Sequence, residues 1–221
     1  MKKSNLPRSL AFGLGVAFPF KQLFRLFYAL AAYASAVASR AAGAAGLFAH
    51  RGWARGDWRP GASDLDLFLV ANDSSLGVFS SWAASHARLR RLFPMLSEWM
   101  SASRAELDFY LRHGDLRAAE FAATARPLHG AAVPALRYEA SALKLRIDAW
   151  NECYHAHARL CVLFLSGNAE PIARYGARKS LLDIHRYDAC SVAFAIPASR
   201  SQARDGVASG SELEGLLRSL D

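Results

Sequence analysis

Arg55-Gly56-Asp57-Trp58-Arg59-Pro60-Gly61-Ala62-Ser63-Asp64-Leu65-Asp66-Leu67-Phe68-Leu69-Val70 decides the fold. The first half is a loop rich in Gly, Arg and Trp. The second half alternates polar and apolar, then turns fully apolar, as a strand does when it runs into a core. Asp64 and Asp66 are two apart on that predicted strand, so both carboxylates point to one face. Adjacent carboxylates repel, and both stay ionised only beside a compensating cation. Magnesium fits, because it takes oxygen ligands and bridges carboxylates to substrate phosphates. The bland alternative is turn capping at a solvated edge. Against it stand the preceding Gly- and Arg-rich loop, which suits phosphates, and the apolar residues after it, among which idle carboxylates are costly.

Outward from this segment the punctuation is clear. Leu23, Phe27, Leu30, Ala34 and Val37 recur at helical spacing within a predicted helix over 21–40. Ala42-Gly43-Ala44-Ala45-Gly46 breaks it, and Leu47-Phe48-Ala49-His50 reads as a short strand. After the 64–70 strand, Asn72-Asp73-Ser74-Ser75 supplies a turn or cap, and a helix is predicted over 76–91. Glu106-Leu107-Asp108-Phe109-Tyr110-Leu111 alternates and reads as a third strand. A two-metal site needs a further carboxylate on a neighbouring strand. Glu106 and Asp108 are the two candidates and share a face. Beyond them the chain reads as helical over 116–125, 134–165 and 170–187. A flexible linker is predicted over 199–211 and a small final helix after it.

Length and composition bound the protein. Its 221 residues allow one domain with an extension or two small domains. Hydrophobic residues make up 52% and charged residues 21%, which excludes a largely disordered chain. No apolar run is long enough for a standard transmembrane helix. Three cysteines are too few for a disulfide scaffold, and a reducing, cytoplasmic setting is expected. Residues 1–60 hold nine Lys and Arg against Asp57 alone, so they carry the whole net charge of +8. Such a basic end points to an anionic partner: nucleotide phosphates, nucleic acid or a membrane surface. Lys2, Lys3 and Arg8 before the apolar run 10–20 partly mimic a signal peptide, but Lys21 and Arg25 interrupt it. The expectation is an amphipathic extension. Its helix packs on the core, unless an exposed apolar stripe lets it lie on a membrane.

Ala54-Arg55-Gly56-Asp57, Arg59-Pro60-Gly61 and Ser63-Asp64-Leu65-Asp66-Leu67 together resemble the active-site signature of polymerase-β-like nucleotidyltransferases. Aminoglycoside nucleotidyltransferases and the minimal nucleotidyltransferases of toxin–antitoxin pairs are members. The signature covers about 20 residues, and the strand–loop–strand–helix–strand order around it extends over 46–111. The resemblance implies an α+β fold, with a small mixed sheet, flanking helices and a helical C-terminal region. It implies metal-dependent transfer of a nucleoside monophosphate from an NTP, ATP first among them, to an acceptor hydroxyl, with release of pyrophosphate. Asp64, Asp66 and Asp108 (or Glu106 instead) would hold two magnesium ions, or manganese. Gly52, Arg55, Ser63 and Lys179 would contact the nucleotide. The segment Arg126-Pro127-Leu128-His129-Gly130 resembles one that follows the third strand in related enzymes. One departure stands out. Arg51-Gly52 replaces the family's Gly-Ser pair, so Arg51 either adds a charged phosphate contact or fills the pocket.

Remaining features have bland readings first. Cys153, His157 and Cys161 lie at i, i+4 and i+8 on one predicted helix, too spread for one ion without help from elsewhere. Trp53 and Trp58 either anchor the loop or stack a base. Arg174, Arg178, Lys179 and Arg186 line a later helix and either face phosphates or form a solvated face. The expected organisation is a basic helical extension (1–41), a nucleotidyltransferase core (42–131), C-terminal helices (132–198) and a linker with a terminal helix (199–221). The rival readings are a catalytically degenerate, antitoxin-like binding module and a basic membrane- or RNA-binding protein. The acceptor is open: a small molecule, a protein or RNA.

Overall fold

A computed structural model describes residues 13–14, 19–60, 62–73, 76–130, 142–165, 171–193 and 200–220. The chain is α+β and divides into two compact units, 1–139 and 140–221. In chain order the first unit holds α1 (Phe20–Ala41), β1 (Gly46–His50), α2 (Arg51–Arg55), β2 (Leu65–Ala71), α3 (Leu76–Leu92), β3 (Leu96–Ser103), α4 (Arg104–His113), α5 (Leu116–Thr124) and β4 (Arg126–His129).

The sheet is mixed, with strand order β3-β2-β1-β4. β1 is antiparallel to both neighbours and β2 runs parallel to β3, joined by the α3 crossover. Buried β1 and β2 form the middle of the sheet. Alternation along β2 then sorts its side chains. Leu65, Leu67 and Leu69 join Leu47, Ala49, Leu96, Trp82 of α3 and Tyr28, Ala31 and Ala32 of α1 in one core layer. Phe68 and Val70 join Phe48, Ala102, Leu107 and Leu111 of α4 and Phe121 of α5 in the other. Asp66, of the same parity as Phe68 and Val70, belongs to the α4/α5 face.

Helix α1 is therefore part of the first unit's core. It is tied at both ends of its buried face: Tyr28 Oη donates to the Ser63 carbonyl at 2.5 Å, and the Ser39 hydroxyl meets His129 Nε2 at 2.5 Å.

The third strand lies elsewhere than the alternation at 106–111 suggests. Residues 104–113 are helix, because Ser103 and Glu106 form a reciprocal capping box and Leu107 and Leu111 fall on one buried helical face. The strand is instead the more polar Leu96–Ser103. A one-turn helix, α2, also occupies the start of the predicted 51–63 loop.

In the second unit, α6 (Ala142–Leu165) and α7 (Pro171–Ala193) are followed by α8 (Arg200–Asp205), inside the predicted linker, and α9 (Glu212–Ser219). The predicted helical segment 134–141 lies outside the described residues. Helices α6 and α7 pack as an antiparallel pair. Leu163 faces Gly176 at one end, and Cys153 Sγ reaches the Ile184 carbonyl at 4.0 Å further along. Among the described residues, no helix is long and apolar enough to cross a membrane.

Candidate active site

Strand β1 ends at His50, and the chain turns at once into α2. Arg51 makes the turn with φ of 59°, the left-handed region that glycine favours; among the described residues it is the one non-glycine there. Gly56 closes the turn in the same region, φ 82°, and the Asp57 N–H donates to the Gly52 carbonyl at 2.8 Å. Residues 51–57 thus form a tight knuckle at the head of the sheet. The loop returns under Tyr28, whose ring lies 4.4 Å from that of Trp58. Trp53 and Trp58 are both partly buried against the core, so they anchor this loop.

The return leads into the carboxylates. Asp64 precedes β2 and Asp66 is its second residue, the partly exposed position in an otherwise buried strand. Ser97 and Arg51 are among the groups that hold the Asp66 carboxylate. The Ser97 hydroxyl donates to it at 3.2 Å, and the Arg51 guanidinium stands 3.8 Å away. Ser97 is there because β3 carries an irregularity: Leu65 pairs with Leu96 but Leu67 with Trp99, so Ser97 and Glu98 both lie opposite Asp66. Ser63 is bound locally, its hydroxyl accepting from the Arg59 N–H at 2.9 Å.

His50 sits directly across the ladder from Asp66. Burial, with Arg51 and Arg55 adding to it, pushes its pKa down to about 3, against the Leu67 backbone. It packs as a neutral ring against Phe68 and Phe121. Tyr110 of α4 stacks on Phe68, and burial, then Asp115, pushes its phenol up to about 12, with Arg117 and Arg51 pulling the other way.

Several expected site residues are placed differently. Asp108 lies on α4, half exposed, paired with Arg112 in an i,i+4 bridge. Glu106 caps the same helix, and the Ser103 backbone N–H holds its carboxylate below the usual range. Neither stands on a strand beside β2, so neither can serve as the neighbouring-strand carboxylate. Arg55 is no exposed phosphate contact: its guanidinium is buried, with Glu120 of α5 at 2.9 Å and Asp57 at 3.5 Å. It braces the knuckle. Lys179 is on α7, in the second unit. The basic row on that helix splits, with Arg174 exposed and Arg178 and Arg186 buried.

Among the described residues, no three His, Cys, Asp or Glu side chains converge as a metal cluster. Cys153 and His157 are in contact at 3.7 Å, while Cys161 is exposed. The structure adds Ser97, Tyr110 and Glu120 to this region; each comes from a segment distant in sequence. No family model and no curated protein matches this chain.

Proposed function

We propose that the first unit binds a nucleoside triphosphate, ATP first among candidates, and transfers its nucleoside monophosphate to an acceptor hydroxyl, inside the cell. The observation that carries this reading is the Asp64/Asp66 pair at the head of a buried central strand, set against the Arg51–Gly56 knuckle. The order β1-knuckle-β2-α3-β3, with β2 antiparallel to β1 and parallel to β3, supports it as well.

The donor set suits one hard divalent ion. Asp64 and Asp66 offer hard oxygen ligands, and Asp66 is already oriented by Ser97. No third carboxylate converges with Asp64 and Asp66 among the described residues, although Glu98 lies on the neighbouring strand. When bound, magnesium (or manganese) would neutralise triphosphate charge and polarise the α-phosphorus. The chain's own contributions are separate. Arg51, half exposed, swings from Asp66 to a phosphate. Gly52 lets the knuckle close tightly, since a Cβ there would stand 3.3 Å from the Asp57 carbonyl oxygen. The Arg55–Asp57–Glu120 cluster keeps the knuckle rigid. The acceptor hydroxyl oxygen then bonds to the α-phosphorus as the bond between that phosphorus and the bridging oxygen breaks; pyrophosphate leaves with the electron pair, and the hydroxyl proton passes to solvent.

A second reading is nucleotide binding without transfer. The Arg51 cation already set against Asp66 favours it. Thermal stabilisation by each NTP with and without magnesium tests both, because any ligand of the native state raises its stability. A magnesium-dependent shift lost in Asp64→Asn/Asp66→Asn supports the site. Pyrophosphate release upon addition of acceptor mixtures supports transfer. A shift in the parent without pyrophosphate release favours binding without transfer, whereas a shift gained only in Arg51→Gly would mean that Arg51 closes the pocket and would count against both readings. No shift in either protein sinks both.

A further inference from the structure

Helix α1 is apolar on two faces. One face lies in the core. The opposite face exposes Leu23, Leu26, Leu30, Tyr33 and Val37; Leu26 is 57% and Tyr33 70% exposed. These five lie three and four residues apart, in a straight stripe along the helix. Helix α3 lies beside α1, with Phe27 and Phe93 in ring contact at 5.2 Å. That contact puts the first half of α1 next to the end of α3. That end of the layer carries Arg88, Arg90 and Arg91, all exposed, with Leu92 also exposed there; Lys21 and Arg25 are exposed at the same end but on the side of α1 turned from the stripe. Arg40 closes the far end of α1. Neither helix contains a single Asp or Glu.

We propose that the α1/α3 layer docks the protein on an anionic lipid bilayer, with the Leu23–Val37 stripe sunk into the interface and the arginines over the headgroups. An apolar ridge with basic ends suits that partner, since apolar burial and attraction to anionic lipid add. Charge selects it over the alternatives. A second copy of the chain would bring cations against cations, with no acidic residue on either helix to answer them. RNA would match the arginines and leave the leucines uncovered. Asp66 belongs to the other face of the sheet, so docking leaves its carboxylate open.

The test is flotation of the purified full-length protein with phosphatidylcholine vesicles, with and without phosphatidylglycerol, at low and high salt. The protein is expected to float with the anionic vesicles only, and less at high salt. Leu26→Glu/Leu30→Glu, at exposed positions, should lower partitioning at least about tenfold, with circular dichroism and the unfolding midpoint unchanged. Arg88→Gln/Arg90→Gln/Arg91→Gln should remove the preference for anionic lipid while keeping the fold. Asp66→Asn should float as the parent does, which separates this surface from the nucleotide site. No flotation at low salt overturns the proposal. So does flotation unaffected by the glutamates, which would mean charge alone. A dimer in sedimentation equilibrium that Leu26→Glu/Leu30→Glu dissolves would assign the stripe to a second copy instead.

Discussion

Arg51 holds a conformation that costs an ordinary side chain about 1–2 kcal/mol. Its contact with Asp66, half exposed at 3.8 Å, returns at most about 1 kcal/mol. Strain at one residue persists only where the surrounding structure holds it, here the knuckle closed at Gly56. Arg51→Gly is therefore expected to stabilise the protein by roughly 0.5 kcal/mol, after the added chain entropy of glycine. Urea unfolding measures this, and a loss above about 1 kcal/mol would mean that the ion pair outweighs the strain. His50, next to it, makes the opposite kind of prediction. Its folded pKa of about 3 lies below the ordinary 6.5, so the unfolded chain binds the extra proton between those values. Stability is complete above about pH 6.5 and falls by roughly 1.4 kcal/mol per unit as pH drops toward 3. Burial also lowers the pKa of His86 and His129, adding to the slope. His50→Phe should flatten the slope without abolishing it, as read from unfolding midpoints between pH 7 and 5.

At the scale of elements, legibility followed how much of the pattern was local. β2 was readable because buried strands carry their own alternation, and Asp64 and Asp66 stood out against it. Glu106–Leu111 reads as a strand, yet folds as α4, because it satisfies two periods at once: polar–apolar alternation, and Leu107 with Leu111 four apart. The deciding signal was present upstream in Ser103-Arg104-Ala105-Glu106, a capping box. β3 is edge-like and polar, and β4 contains Pro127, so neither advertises itself. The carboxylate pair was legible, whereas Ser97, Tyr110 and Glu120 were not, because only tertiary contact brings them near β2. The cap gives a direct check. Ser103→Ala should cost about 1 kcal/mol in urea unfolding, since the Glu106 backbone N–H loses its hydroxyl acceptor. Asp108→Asn, in an exposed i,i+4 pair, should change stability by under about 0.5 kcal/mol and leave nucleotide binding intact. A nucleotide-binding loss in Asp108→Asn would restore it to the site.

At the scale of the whole molecule, the two units are held by different physics. The first has a layered apolar core on both faces of a sheet. Among the described residues, the second buries Ala149, Ala156, Ala177 and Ala203 with Leu182, Tyr187 and Leu217, and with them the charged Arg178, Asp183 and Arg186. Asp183 accepts from Arg186 Nε at 2.8 Å and takes a two-pronged bond from Arg200, with Arg159 at 3.6 Å. Arg186 also donates to the Tyr187 hydroxyl at 2.6 Å and is itself buried. Burial alone would push the Asp183 carboxyl up, but Arg200 and Arg186 together outweigh it and hold it below the usual range. Removing one partner from such a centre leaves a buried charge uncompensated, at a cost of about 3–5 kcal/mol. Asp183→Ala should therefore melt α6–α9 well before the sheet. Hydrogen exchange by mass spectrometry would show lost protection over 142–193 and unchanged protection in β1 and β2. Equal loss in both would mean that the units fold as one, and that the charged centre stabilises the sheet as well.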